Sequence, residues 1–451
     1  MTGCTPQQLC AAVGGTLLQD SGAVVTEVST DSRAIPAGAL FVPLAGERFD
    51  GHDYLDAALS GGASGCLTAK TPVSLQKGKF YIQVSDTLAA LKALAAWYRA
   101  QYHLPMVQVT GSAGKTTTKE MIAAVLSQRF CTLKTQGNFN NAIGTPLTLL
   151  HLAPEHEAAV IETGMNHFGE IRYLGELVRP TMAVITNVGD AHIENLGGTR
   201  QGILQAKCEI FEHLQAGGLA VLNGDDELLS ALKLPFDTVL CGQNERCAVR
   251  VSHVTEHGID GVTCTVTTAR DVYDVAIPSP GAYMIYPAAM AIAIGEHLGL
   301  TKEEMLSGIA AYRPVGSRMH LVRCSNDRII IDDCYNANPQ AMAEALRILA
   351  QTEHPRRMAV LGDMGELGEL TETAHRDMGA LTRRLQLDAV VAIGPKAKAI
   401  QDANPDALWF PTAAEAMSAI RAAFTAGTAV LVKASHAMNF GQIVKELETT
   451  E

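Results

Sequence analysis

The chain has 451 residues, 47% of them apolar and 18% charged, a balance that suits a water-soluble globular enzyme and is too long for one ordinary core. Its formal net charge of −12 sets aside duplex nucleic acid and anionic membrane as expected partners, so any anionic ligand needs local positive features. The opening MTGCTPQQLC has neither the basic start nor the apolar run of a signal peptide. The longest uncharged run, 275–295, is broken by Pro278, Pro280 and Pro287 and reads as a loop entering a helix at Pro287 rather than a membrane span.

In chain order, residues up to about Ser85 mix short strand-like runs (ALFVPL, KFYIQV) with glycine-rich turns, and the helical TLAALKALAAWYRAQY follows. From Met106, apolar strand runs alternate with helical patterns: MVQVT, AAVIE, MAVITNV, LAVLN, DTVL. Alternation of this kind predicts a parallel sheet covered by helices on both faces. Residues 249–277 then alternate with period two around a glycine turn and predict an antiparallel insert. A second α/β series (RIIID, RMAVLG, AVVAIG, AVLVKAS) begins near Arg328, after a break at Pro314–Gly316. The expected fold is therefore α/β in three domains: 1–84, a small α/β domain; 85–314, a central phosphate-loop-type parallel sheet with an antiparallel insert; and 315–451, a Rossmann-like α/β domain. The ten cysteines form no CxxC pair and no zinc spacing, and read as reduced thiols packed as small hydrophobes, which suits a cytoplasmic protein.

The stretch PMVQVTGSAGKTTTKEM runs from a strand through Thr110, Gly111, Ser112, Ala113, Gly114, Lys115, Thr116 and Thr117 into a helix. Such a turn converges backbone N–H groups and a helix dipole on phosphate oxygens. Lys115 supplies a point charge for the β and γ oxygens of a nucleotide, and the Thr116 hydroxyl suits Mg²⁺. Val109 stands where the common loop has its first glycine, which argues against small GTPases and motor-type ATPases.

Ligands of open α/β sheets sit beyond the carboxyl ends of the strands. Glu162 closes one apolar strand, Asn187 closes another, and His192 follows just beyond. A carboxylate and an imidazole near a triphosphate suit metal ligation, against the alternative of a helix-capping or solvated carboxylate. Lys207 falls on the apolar stripe Ile203, Lys207, Ile210, Phe211, Leu214. Either its ammonium snorkels to the surface, or desolvation frees a neutral amine able to become a carbamate and support a second metal ion. Lys119 and Glu120 read as solvated first-turn charges. Asp363 and Glu366 of GDMGELGEL read either as interdomain or substrate contacts or as solvated loop carboxylates.

Across nearly its whole length the chain resembles the Mur ligases, ATP-dependent amide-forming enzymes of peptidoglycan synthesis. VTGSAGKTTTKE is similar to the family's ATP loop, TQGNFNNAIGTPLTLL to the segment after it, VIETGMNHFGEI to the magnesium-binding segment with Glu162, AHIENLGG to the segment with His192, and AKCEIF to the one with a carbamylated lysine, here Lys207. DDCYNANPQAM and VLGDMGELG resemble the members that add D-alanyl-D-alanine. The resemblance implies ATP and Mg²⁺, at two sites, as cofactors, and UDP-N-acetylmuramoyl-tripeptide and D-alanyl-D-alanine as small-molecule substrates of a monomer. It implies catalytic roles for Lys115, Glu162, His192 and Lys207, with Thr116, Glu162, His192 and carbamylated Lys207 on metal. It places Arg318 and Asp333 on the nucleotide. Ser32, Arg33, Asp50, Gly51, His52, Asn138, Asn140 and Asn141 fall toward the UDP-substrate, and Tyr335, Asn336, Asn338, Lys433 and Ser435 toward D-alanyl-D-alanine.

The chain departs from the family in two places. Tyr283, Met284 and Pro287 stand where members usually have a His-Asn pair and a further Asn near the adenine, which leaves stacking on Tyr283 as a guess. Lys433-Ala434-Ser435-His436 replaces Lys-Gly-Ser-Arg. The implied chemistry is phosphorylation of a carboxylate by ATP, then attack of an amine on the acyl phosphate. A folylpolyglutamate-synthase-like ligase shares the loop and domain plan, but STDSRAIPAGALFVPL argues against it; the departures motivate an inactive nucleotide-binding regulator as the alternative of another class.

Overall fold

A computed structural model describes residues 1, 3–46 and 49–449; Glu47 and Arg48, within the stretch read as UDP-sugar-binding, lie outside the described residues. The first sheet holds β1 (Thr16–Gln19), β2 (Val28–Ser29), β3 (Leu40–Phe41), β4 (Gly65–Thr68) and β5 (Phe80–Gln83) in the order β1-β5-β4-β3-β2. The second holds β6 (Met106–Thr110), β7 (Thr132–Lys134), β8 (Ala158–Glu162), β9 (Met182–Ile185), β10 (Leu219–Asn223), β11 (Asp237–Gly242), β12 (Val249–Glu256), β13 (Val262–Thr267) and β14 (Val272–Ile277), ordered β14-β13-β12-β11-β10-β9-β6-β8-β7. The third is β15 (His320–Cys324), β16 (Arg328–Asp332), β17 (Arg356–Gly362), β18 (Ala389–Ile393), β19 (Leu408–Phe410) and β20 (Thr428–Lys433), ordered β15-β16-β20-β17-β18-β19. The predicted antiparallel insert is β12–β13–β14, and the second α/β series is the third sheet, parallel except for β15.

The chain separates into two compact units. In the first (residues 1–110, 130–184 and 206–220), the helix Thr87–Arg99 starts at Asp86, whose carboxylate accepts from the Leu88 and Ala89 N–H groups. Its Leu91, Leu94 and Tyr98 join Leu40, Phe80, Met106 and Ile161 in one buried cluster. β6, β7 and β8 run parallel, with Val109 paired to Glu162, so Glu162 ends its strand one residue short of the level of Thr110.

In the second unit (111–129, 185–205 and 221–451), the third sheet buries both faces. Ile329, Ile331, Ala359, Leu361 and Leu431 pack on one side, and Ile330, Met358, Val360, Val430 and Val432 on the other. This is the period-two consequence of helices on both faces, each large apolar side chain contributing about 1.5–3 kcal/mol.

The helix Lys115–Leu126 packs against Ile285–His297 and Lys302–Ala311. Gly308 permits the approach, since a Cβ there would fall 2.4 Å from the Val125 Cα. That packing corrects the reading of Lys119 and Glu120 as solvated. Both are buried, and Lys119 Nζ lies 2.7 Å from Glu120 Oε1. The helix expected to begin at Pro287 begins at Ile285. No helix of the described residues is long and apolar enough to cross a membrane.

Candidate functional site

β6 ends at Thr110 and the helix begins at Lys115, with Gly114 in left-handed backbone (φ 75°) as its N-cap. Gly111 admits no side chain: a Cβ would lie 1.8 Å from Thr186 Oγ1. The loop is bound to the end of β9. Ser112 N–H donates to the Asn187 carbonyl (3.2 Å), Ala113 N–H to Asn187 Oδ1 (2.9 Å), Thr186 Oγ1 to the Ala113 carbonyl (2.6 Å), and Gly189 N–H to Ser112 Oγ (2.9 Å). Asn187, noted in the sequence only as a strand-end residue, is thus what shapes the loop. Lys115 Nζ folds back to the Gly111 carbonyl at 2.7 Å, keeping its charge at the loop mouth. The first-turn N–H groups of the helix face the same way and provide an anion seat. Tyr312 is buried and bonded to Thr117, and burial pushes its phenol up to about 12.

His192 sits in left-handed backbone (φ 62°), and its Nδ1 lies 2.9 Å from Glu366 Oε2. Glu366 is also left-handed (φ 59°). The loop bearing it is pinned: His375 Nε2 accepts from Met364 N–H (2.9 Å), Ser435 Oγ accepts from Gly365 N–H (2.7 Å), and Asp363 Oδ1 accepts from Lys396 and Ala397 N–H (3.0 and 2.7 Å). Asp363 is therefore a buried turn-holder, while Glu366 makes the contact between segments. His375, fully buried on the helix Thr371–Arg384, went unnoticed in the sequence because a lone histidine in an amphipathic helix carries no motif; burial holds its pKa below the usual value.

At the carboxyl ends of β16 and β20, Lys433 and Asp333 form an ion pair, their side chains 3% and 13% exposed. Lys433 Nζ also donates to the Asn336 carbonyl at 3.0 Å, and Asp333 Oδ1 accepts from Met319 N–H at 3.1 Å. The Arg318 guanidinium stacks on Tyr335 (3.9 Å to the ring centre), with the His436 ring 5.4 Å away on the same tyrosine. So Arg318, Asp333, Tyr335, Asn336, Lys433 and His436 form one cluster, although the sequence divided the first five between two ligands and noted His436 only as a departure from the family. Asn338 caps the helix Pro339–Ala350 through Ala341 N–H (2.8 Å). Tyr283 packs against the apolar cluster that contains Ile348, and Met284 and Pro287 are buried.

In the other unit, Glu162 is buried. Its Oε1 accepts from Asn140 Nδ2 at 2.8 Å, and its N–H donates to Thr135 Oγ1 at 3.0 Å. Asn140, read from the sequence as substrate-binding, is thus a partner of the metal candidate. Asn141 Oδ1 caps the next helix through Gly144 N–H (2.9 Å), and the Asn138 carbonyl accepts from Asn140 N–H (2.7 Å). Lys207 is only 2% exposed, so its head does not snorkel to the surface. Nearby in sequence, Glu209 accepts from the Gly169 and Arg172 N–H groups and fixes the start of the helix Glu170–Val178.

In the N-terminal sheet, His52 Nε2 accepts from Ala69 N–H (3.0 Å), so Nδ1–H donates to Asp50 Oδ1 (2.6 Å), while Lys70 Nζ holds Asp50 Oδ2 at 2.7 Å. Gly51 has no room for a Cβ, which would meet the Leu44 backbone at 2.7 Å. The exposed Arg33 is forked onto Asp31 (2.9 and 2.8 Å), and Ser32 lies between them, half-buried. These polar groups already hold their own turns.

Among the described residues no cluster of three or more His, Cys, Asp or Glu side chains forms a ready metal centre. Each unit by itself carries a donor of the kind Mg²⁺ takes: in one, a buried carboxylate oriented by an amide; in the other, a threonine hydroxyl at the first turn of a helix whose loop accepts no Cβ at Gly111.

Three family models match the chain: Mur ligase family, catalytic domain, at 24–99; Mur ligase middle domain at 109–295; and Mur ligase, glutamate ligase domain, at 317–436. A protein of Escherichia coli named UDP-N-acetylmuramoyl-tripeptide--D-alanyl-D-alanine ligase is 37% identical over 90% of this chain and 89% of its own, and a Bacillus subtilis protein of the same name is 35% identical over 98% of both. The crystal structure of MurF from Acinetobacter baumannii superposes with a TM-score of 0.91 over 99% of both chains at 31% identity. That of MurF ligase from Thermotoga maritima in complex with ADP superposes with a TM-score of 0.82 at 27% identity, over 94% of this chain and 97% of that one. With a phosphate-type loop, a strand-end carboxylate and these matches along its length, the chain belongs to the Mur ligase family.

Proposed function

We propose that this chain is an ATP-dependent ligase that joins D-alanyl-D-alanine to the terminal carboxylate of UDP-N-acetylmuramoyl-tripeptide, giving the pentapeptide, ADP and phosphate. The observation that carries this reading is the 35% identity with the Bacillus subtilis ligase over 98% of both chains.

A carboxylate cannot expel oxide, so it is first activated as an acyl phosphate. Bringing an anionic carboxylate toward the γ-phosphate sets unit charges against one another at about 4 kcal/mol per pair at 4 Å for an effective dielectric of 20. The Lys115 ammonium and the N–H groups at the start of its helix offset that repulsion, more strongly as charge builds on the transferred phosphoryl oxygens. Mg²⁺, when bound, would neutralise further triphosphate charge. Thr116 and Glu162 would hold it, with Asn140 orienting the Glu162 carboxylate. We assign His192 and Lys207, the latter as its carbamate, to a second cation. The burial of Lys207, against a surface position for an ordinary lysine head, is the observation that supports this. Arg318 and Asp333 are assigned to the nucleotide. Tyr335, Asn336, Asn338, Lys433 and Ser435 are assigned to the incoming dipeptide, and Ser32, Arg33, Asp50, Gly51, His52, Asn138, Asn140 and Asn141 to the UDP-substrate side.

The test is phosphate release by purified enzyme with paired substrates. Release is expected only when UDP-N-acetylmuramoyl-tripeptide and D-alanyl-D-alanine are both present with ATP. Equal turnover with D-glutamate or diaminopimelate as the amine would instead make this a different member of the family.

A further inference from the structure

Glu366 has no role in the proposed chemistry, yet the chain goes to some lengths to place it. Three consecutive residues of its loop, Asp363, Met364 and Gly365, are tied down by Lys396 and Ala397 N–H, by His375, and by Ser435 respectively. The next residue, Glu366, turns left-handed, a conformation disfavoured for a glutamate, and its carboxylate reaches His192 Nδ1 at 2.9 Å. His192 is itself left-handed. Two strained non-glycine residues therefore meet each other, one from the segment matched as the middle domain and one from the segment matched as the glutamate ligase domain. Glu194 lies against the same loop, 3.3 Å from where a Gly368 Cβ would stand.

We propose that Glu366 is a positioning residue for His192. A carboxylate accepts only, so an oxygen 2.9 Å from Nδ1 favours the proton on that nitrogen and holds that edge of the ring, which makes Nε2 the basic nitrogen. The carboxylate–histidine pairing is the arrangement that orients an imidazole and raises its basicity toward a cation, and loss of such partners lowers metal affinity about 10–100-fold. Because Glu366 comes from the dipeptide-side segment, the orientation of His192 becomes conditional on that segment being in place. This inference rests on the ligase reading for its consequence, but its geometric core does not.

The experiment separates the two. In nitrogen-15 histidine spectra of the enzyme without substrates, with the signal assigned by His192→Gln, wild type is expected to show His192 as the Nδ1–H tautomer. Glu366→Ala should shift it toward Nε2–H. Glu366→Asn, which tolerates left-handed backbone but is too short to reach, should behave like Glu366→Ala, which distinguishes the carboxylate from backbone strain. An unchanged His192 tautomer in both variants overturns the proposal whether or not the enzyme is a ligase. In ligase assays, kcat is expected to fall about 10–100-fold in Glu366→Ala with Glu366→Gln recovering part of it through its amide oxygen. Mn²⁺ affinity, measured by electron paramagnetic resonance on the ADP-bound enzyme, should fall alongside kcat. Mn²⁺ affinity equal to wild type in Glu366→Ala also overturns it.

Discussion

Replacing Asp333 by alanine strands the Lys433 ammonium in a side-chain environment that is 3% exposed. Breaking a buried ion pair from one side typically destabilises by about 3–5 kcal/mol, because a charge is left without its partner. Lys433 Nζ keeps the Asn336 carbonyl at 3.0 Å and the carbonyl of residue 333 at 3.3 Å, which solvate part of that charge and place the expected loss near the lower end, about 3 kcal/mol. Lys433→Met acts differently. It removes the charge and fills the space, and the Asp333 carboxylate left behind is 13% exposed and still accepts from Met319 N–H, so about 1–2 kcal/mol is expected. At roughly 3 °C per kcal/mol for a unit of this size, the unfolding midpoint should drop by about 9 °C for the aspartate variant and about 4 °C for the lysine variant. The double variant should fall close to Lys433→Met, a coupling of about 3 kcal/mol. Differential scanning calorimetry without nucleotide reads all three. A lysine variant less stable than the aspartate variant, or losses that simply add, would refute the reasoning.

Gly111→Ala drives a Cβ to 1.8 Å from Thr186 Oγ1 and displaces the loop, so ADP affinity measured by titration calorimetry should fall on the order of 100-fold; unchanged affinity would mean that nucleotide sits elsewhere. Gly114→Ala meets open space and only the left-handed penalty, about 1–2 kcal/mol, so it should be milder. The Tyr312 phenol, pushed from 10 to about 12, stays protonated in the fold while the unfolded chain has lost its proton. Stability should therefore be intact below pH 10 and fall by roughly 3 kcal/mol as pH rises to about 12; Tyr312→Phe should flatten that part of a denaturant-midpoint profile. His375 is shifted the other way: buried and neutral, it contributes stability that is present above its unfolded pKa of 6.5 and is lost as pH falls through its lowered folded value. His375→Gln should reduce the acid-side slope, and an unaltered slope would remove His375 as the group responsible.

Much of the fold is visible in the chain because buried parallel strands are written as apolar runs. RIIID, RMAVLG and AVLVKAS each became a strand of the third sheet. The antiparallel insert announced itself by alternation and a glycine turn. β2 and β7 were not anticipated: they are two and three residues long, and pairing with neighbours defines them rather than any pattern of their own. The phosphate loop and the strand-end Glu162 were legible because spacing alone fixes them relative to strand and helix. What was not legible is what each polar residue bonds to. Lys119 and Glu120 look like surface charges until two further helices bury them. Lys207 lies on an apolar stripe, and burial of its head could only be seen in three dimensions. Asp333 and Lys433 are separated by 100 residues, Glu366 and His192 by more, and no local pattern joins such pairs.

The most direct test of the central claim labels the terminal carboxylate of UDP-N-acetylmuramoyl-tripeptide with oxygen-18 and follows the label during coupling to D-alanyl-D-alanine. Passage through an acyl phosphate transfers one labelled oxygen to each released orthophosphate, and that is the predicted result. Unlabelled phosphate accompanied by full peptide-bond formation would contradict it.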